Sequence, residues 1–479
     1  MRQSKTRPRN RCRLTLNRRR FITAAGAAVA AVQMDVLDFA SRVFAAKPKP
    51  ASKPTVGVVY LRPPKPRIIS WPGGNCDTDA QQALFTKTLR QAAEKLDVRL
   101  NVCEKPLWTN EEIGGYLDRI RKDPPDGLIV GAMCLHGWGH VRRVVAKRGD
   151  VPTVIYSNLS GFTSHLQCGR DVPKTFLGAT QDVGWLEQAL RLLSALWRMR
   201  HTRILDVSGH KDGTVEGLGT EFHCIPKQRF HEEFEKAKET DQVRAIADFY
   251  EKTAKKIVEP TKQDILNAAR NYVVCRRLME AENCHGITID CLGWKNPVCL
   301  AFLKLRDEGI VAACEADRWA ALSSRLTHLL CGRPGFQQDP SPNTVNNTLI
   351  GAHCTSPTKL EGFDKPYRAP FVLRDYHTQT GVAPQVLWPV GRDVTVMEFA
   401  GPDRIILGTG RVRANIPQPP SGCCRTAVEM ELDGVTDSLG RVDARNTKGF
   451  HQLFILGNLR RTFQAYGRLA GIKVEPICT

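Results

Sequence analysis

From residue 55 to residue 331 the chain alternates short apolar runs with amphipathic helical stretches, and this alternation restricts it to α/β architectures. "TVGVVYL" (55–61), "DGLIVGAM" (126–133) and "VPTVIYSN" (151–158) are nearly continuous apolar segments, as strands covered on both faces are. Between them lie the helical pattern "DAQQALFTKTLRQAAEKL", the strand "VRLNVCE" and a helix opened by the capping-box spacing of "TNEE" (109–112). "RILDVSG" (203–209) starts a second set, continued by "HGITIDCLG" (285–293) and "IVAACEAD". Its helices are "FHEEFEKAKE", "VRAIADFYEKTAKKIV", "NPVCLAFLKLRDEG" and "TKQDILNAARNYVVCRRLMEAE", the last with Ile265, Ala268, Ala269, Tyr272, Cys275 and Met279 on one stripe.

From about residue 350 the pattern changes. "TLIGAHC", "APFVLRDYH", "APQVLWPV", "DVTVMEFAG", "RIILGTGRV", "CCRTAVEMEL" and "HQLFILGN" are short β-type runs separated by Gly, Pro and Asp turns, with a helix only at "RRTFQAYGRLAG". The expected fold is therefore α/β: two doubly wound, Rossmann-like parallel-sheet domains, 55–202 and 203–349, followed by an antiparallel β-rich domain, 350–479. A Pro-rich linker, 46–54, and a leader, 1–45, precede them.

The leader carries much of the formal charge of +20. Ten Lys/Arg against Asp35 and Asp38 give residues 1–45 a net +8, which leaves +12 for the remainder. "NRRRFITAAGAAVAAVQM" (17–34) is a twin-arginine stretch before an Ala-rich run of about fourteen residues, the form of an export signal and too short for a membrane span. The expectation is export by the twin-arginine route to a periplasmic or extracytoplasmic location, with no membrane attachment once the signal is removed. The rest of the basic excess is spread out with no nucleic-acid motif, so no specific nucleic-acid partner is expected. Fifteen of the sixteen cysteines follow Cys12, and there is no C-x-x-C pair. Most lie in apolar runs and read as small buried hydrophobes, not as a disulfide framework or a thiolate zinc site.

Three carboxylates stand at or just past the ends of apolar strands: Asp290 in "ITIDCLGW", and Glu315 and Asp317 in "CEADRW". Ligand sites in open α/β sheets gather at that edge. Carboxylates crowded there repel one another, and a divalent cation removes the penalty. The competing reading has Glu315 capping the next helix, Asp317 pairing with Arg318 or Arg325, and Asp290 as a turn residue. His353 in "GAHCTSP" and His451 in "GFHQLFILG" flank β-type runs of the last domain, and an imidazole beside carboxylates suits a transition metal. His136, His140, His210 and His223 read as solvated loop residues. Trp71, Trp138 and Trp294 are candidate sugar-stacking residues.

The segments "NAARNYVVCRRLME…GITIDCLG", "ACEADRWAAL", "GAHCTSP" and "KGFHQLFILGNLRRTFQAYGRLAGIKVEP", in this order after two α/β units, resemble the L-fucose and L-arabinose isomerase superfamily. The resemblance implies a homo-oligomer acting on a monosaccharide by aldose–ketose isomerisation through an enediolate. It also implies a bound metal, usually Mn2+, held by a Glu, an Asp and a late His. On the matching motifs the Asp falls on Asp317, the late His on His451 and the Glu near Asp290, one methylene shorter than the pattern. Such a change displaces a catalytic group by about 1 Å, which can cost ~10²-fold in rate. Glu315 and His353 would stand beside these residues, and His353 is a ligand position in the arabinose isomerase pattern. Asp290, Glu315 and Asp317 are the candidate acid–base groups. Two other functions fit an exported chain: a non-catalytic carbohydrate-binding relative, and a metal-dependent hydrolase or lyase acting on polysaccharide fragments.

Overall fold

The computed structural model describes residues 53–64, 77–158, 161–377, 379–417, 424–434 and 448–477. The leader, most of the Pro-rich linker and Trp71 lie outside the described residues. Strands β1 (Thr55–Leu61), β2 (Arg99–Val102), β3 (Gly127–Ala132), β4 (Thr153–Ser157) and β5 (Thr175–Ala179) form a wholly parallel sheet of order β2-β1-β3-β4-β5. Alternate residues of β1 enter different cores, as burial on both faces requires. Val56, Val58 and Tyr60 pack with Phe85, Leu89 and Leu190 on one side, and Val59 and Leu61 with Ile113, Leu117 and Val141 on the other. The helix Asn110–Lys122 starts on the capping box read in "TNEE", with Thr109 and Glu112 exchanging bonds.

A second sheet joins β6 (Arg203–Val207), β7 (Gly213–Thr214), β8 (Glu221–Ile225), β10 (Gly286–Ile289) and β11 (Val311–Cys314) in the order β11-β10-β6-β8-β7. It is parallel except for the short edge strand β7. The helix Lys262–Ala281 buries the expected stripe of Ile265, Ala268, Ala269, Tyr272, Cys275 and Met279. The helix in "VRAIADFYEKTAKKIV" is shorter than its pattern. It stops at Thr253, and β9 (Lys256–Ile257) then pairs in a small separate sheet with β14 (Phe371–Arg374) and β15 (Ala383–Val386).

The remaining strands are β12 (Phe336–Asn343), β13 (Thr348–His353), β16 (Asp393–Phe399), β17 (Arg404–Asn415), β18 (Thr426–Leu432), β19 (Gln452–Leu456) and β20 (Lys473–Pro476). The antiparallel pairings run β16-β19-β12-β13-β18-β17, and β17 pairs back to β16, which closes the ring as a barrel. β20 lies parallel on the first half of β17. This sheet begins at Phe336, ahead of the change of character read near residue 350, because β12 is the polar, Pro-containing "FQQDPSPN".

Two buried polar networks tie β11 and the helix Cys299–Asp307 to β12 and to the segment that follows β13. Gln337 of β12 accepts the Cys314 N–H (2.9 Å) and donates to the Cys314 carbonyl (3.3 Å), so a side-chain amide continues the ladder where β11 has no further strand. Arg306 donates to the Ala312 carbonyl, the Thr355 carbonyl and Gln337. Asp307 accepts the Thr358 and Lys359 N–H groups and pairs with Arg368 (2.7 Å). Removing one partner from such a buried network strands the others. Asp307→Ala is expected to lower unfolding free energy by about 3 kcal/mol, read as the shift of a urea transition.

Candidate metal centre

The chain leaves β11 at Cys314 and turns through Glu315 (φ 63°) and Ala316 (φ 51°), both left-handed. Non-glycine residues hold that conformation only where the surroundings fix it. Here the Ala316 N–H donates to the Ile289 carbonyl (3.0 Å) and Gln337 clamps Cys314. Asp317 then caps the helix Arg318–Cys331, Oδ1 accepting the Ala320 N–H at 2.9 Å. His451 (φ 55°) precedes β19 in a second strained turn. A Cβ on Gly449 would lie 2.1 Å from the Glu398 Oε2, so glycine there gives Glu398 room to accept the Phe450 N–H (3.1 Å). Asp339 and His353 come from strands adjacent to β19 or to each other, with Asp339 facing Ala352 and Gln338 facing Gln452.

These turns bring Glu315, His353 and His451 together, with one ligand atom from each within 4.8 Å of the others, a group that could hold a metal ion. Glu315 Oε1 is 3.5 Å from His353 Nε2, and Glu315 Oε2 is 3.4 Å from His451 Nε2. Asp339 Oδ1 lies 3.1 Å from the same His451 nitrogen. Yet Asp339 Oδ1, His451 Nε2 and both His353 nitrogens are buried without a hydrogen-bond partner. As imidazolium the rings pair with these carboxylates, and once deprotonated the same converging atoms could hold a cation. The outer nitrogen of His451 is fixed, because Nδ1 meets Asp317 Oδ2 at 2.8 Å. That contact sets the tautomer that offers Nε2 as a lone pair.

The electrostatics agree. Burial opposes a charge on His451, but Asp317, Asp339 and Glu315 outweigh it and push its pKa up to about 11. His353 rises to about 10 against the same opposition, driven by Cys314, Glu315 and Asp339. The two imidazoles hold the Glu315 carboxyl well below the usual range. Glu398 is displaced the other way, to about 8, by burial and then by Asp317. A site so rich in buried anions draws positive charge, as protons or as metal.

Of the residues singled out in the sequence, Glu315, His353, His451 and Asp317 meet here. Asp317 reaches the centre through His451, where it orients the ring and caps a helix; it is not among the three grouped ligands. Its expected partner Arg318 instead pairs with the buried Asp206 (2.8 Å), and Arg325 donates to Thr202. Asp290 stands at the end of β10 with its carboxylate paired to Lys227, outside the group. Trp138 is buried in the core behind the first sheet, and Trp294 is buried against Phe230 and His231, so neither faces a sugar. His140 lies in a helix, and His223 lies on β8 between Asp212 and Glu282. The sequence reading missed Asp339, Gln337 and Glu398. The only signal for Asp339 was an acid in a polar segment with two prolines, which carries no strand pattern.

A cleft of about 830 Å3 opens over Glu315, Asp317 and His451. It is lined also by Trp319, Phe450, His210, Lys211 and Arg318, and Phe450 is 59% exposed. A second hollow, of about 1040 Å3, lies beside edge strand β2, away from the Glu315, His353 and His451 group. No family model matches the chain. A comparison with curated proteins finds it similar to a sulfoquinovose isomerase of Alkalicoccus urumqiensis. The two are 23% identical over 308 residues, 56% of this chain and 68% of that protein.

Proposed function

We propose that the protein is a metal-dependent aldose–ketose isomerase whose substrate is a monosaccharide carrying an anionic group. The observation that carries this reading is the convergence of Glu315, His353 and His451, two of which, Glu315 and His451, line a cleft with ample room for a monosaccharide. The similarity to a sulfoquinovose isomerase supports it, as do the basic side chains of Lys211 and Arg318 in the lining. Glu315, His353 and His451 would hold the metal, Mn2+ by the family resemblance. When bound, it would polarise the sugar carbonyl and stabilise the charge of an enediolate.

The chain's own groups supply the rest. Asp317 keeps His451 in one tautomer. Asp339, 39% exposed at its side chain and the one carboxylate in contact with His451 Nε2 from the barrel side, takes a proton from one sugar carbon and returns it to its neighbour. Trp319 and Phe450 offer apolar faces to the ring and keep water from the transfer. Twin-arginine export and a homo-oligomeric state belong to the same reading.

The test is ketose formation from a panel of aldoses, sulfoquinovose first, with Mn2+ present and with the protein stripped by chelator. Turnover of the sulfonated sugar that vanishes on stripping supports the proposal. Tight sugar binding with neither turnover nor metal would instead make the protein a carbohydrate receptor. Release of reducing ends from oligosaccharides would make it a hydrolase. Asp339→Asn is expected to keep Mn2+ affinity within about tenfold while lowering kcat about 10²-fold or more, which separates proton transfer from metal binding.

A further inference from the structure

A layer of thiols lies directly beneath the metal centre. Two of the three grouped ligands have a cysteine as chain neighbour, Cys314 before Glu315 and Cys354 after His353, and Cys291 follows Asp290 at the end of β10. All three are buried. Cys354 Sγ lies 3.7 Å from Cys424 Sγ and 3.6 Å from His377 Nδ1. The two cysteines sit in one small apolar cluster with Cys299, Tyr376 and Ala383. The ladder explains the approach: His353 of β13 is the register partner of Thr426 of β18, so Cys354 and Cys424 flank the end of one strand pair. From 3.7 Å, a disulfide of ~2.05 Å needs the sulfurs to close by about 1.6 Å, within reach of side-chain rotation where both strands end.

We infer that Cys354 and Cys424 are a modification site, a thiol pair that closes reversibly into a disulfide and thereby weakens metal binding at the adjoining His353. The effect on the metal rests on the function proposed above; formation of the bridge does not. With a small-molecule disulfide such as oxidised glutathione, the half-buried Cys424 attacks one sulfur and expels one thiol as a leaving group. Cys354 then attacks Cys424 in the mixed disulfide and expels the second. Two protein thiols are oxidised, one glutathione disulfide is reduced to two thiols, and the two protons go to the departing thiolates. Drawing Cys354 toward β18 moves the backbone of His353, which is 1% exposed and has no slack around it.

The test equilibrates the full chain carrying Cys423→Ser with glutathione buffers of rising oxidised fraction. Thiols are counted, joined peptides are mapped by mass, and Mn2+ binding is measured calorimetrically on each form. The expected result is loss of two thiols, a 354–424 linkage, and Mn2+ affinity reduced at least tenfold and restored by dithiothreitol. Cys424→Ser should be indifferent to the oxidant. A map with no 354–424 linkage at any ratio overturns the inference, as does a linked protein that binds Mn2+ as tightly as the reduced one. A reduced protein that takes up no Mn2+ refutes the metal reading and the coupling, while the peptide map still decides the bridge.

Discussion

Replacing His451 with alanine is expected to lower Mn2+ affinity by about three orders of magnitude and to abolish isomerisation. The imidazole contacts both carboxylates of the centre, with Nε2 3.4 Å from Glu315 and 3.1 Å from Asp339. Its loss removes a ligand and leaves those two acids facing each other with less positive charge between them. Altering the partner that orients a ligand costs ~10–100-fold in metal affinity, and deleting the ligand itself costs more. Asp317→Asn separates the two roles of that residue. Asparagine caps a helix as well as aspartate does, so the bond to the Ala320 N–H and the stability of the helix Arg318–Cys331 should persist. The anionic acceptor for His451 Nδ1–H is lost, and affinity should fall by about 10–100-fold. Calorimetry with Mn2+, beside thermal melts of both variants, checks the pair. Wild-type affinity in His451→Ala would exclude the imidazole as a ligand.

Much of the α/β half could be read from sequence because burial on both faces leaves a direct trace, continuous apolar runs such as "TVGVVYL" and "DGLIVGAM". The acids at the end of β11 were legible for the same reason, since a run of small apolar residues followed by E-A-D marks where a buried strand meets solvent. What the sequence could not convey was direction. Glu315 reaches the centre only because two successive residues turn left-handed, a conformation that no local residue preference announces. Asp317 is behind His451, where it reaches the metal group only through the ring. Asp290 has the right place along its strand, but Lys227, more than sixty residues earlier in the chain, takes its carboxylate. Asp339 was hidden because β12 is polar and contains two prolines. A closed barrel accepts such a strand when its side chains, like that of Gln337, are satisfied by tertiary partners.

The affinity for Mn2+ should rise steeply with pH, and the sign follows from which groups hold protons in the metal-free protein. With pKa values of about 11 for His451 and about 10 for His353, raised by the surrounding acids against the effect of burial, the centre carries imidazolium at neutral pH. A metal needs the neutral ring, so each cation bound must displace protons. Raising pH makes that displacement easier until pH passes the raised values; lowering it makes binding weaker throughout. Release of one to two protons corresponds to about 10- to 100-fold in affinity per pH unit from pH 6 to about 9. A histidine site with ordinary pKa values near ~6.5 would level off above pH 7. Calorimetric titrations in buffers of different ionisation enthalpy count the protons directly. His353→Gln should remove one of the two sources and flatten the slope, whereas Lys227→Ala, which frees Asp290 at a distance, should leave it unchanged. A flat affinity between pH 7 and 9 in the wild type would mean that Glu315 and Asp339 do not share a centre with the two rings.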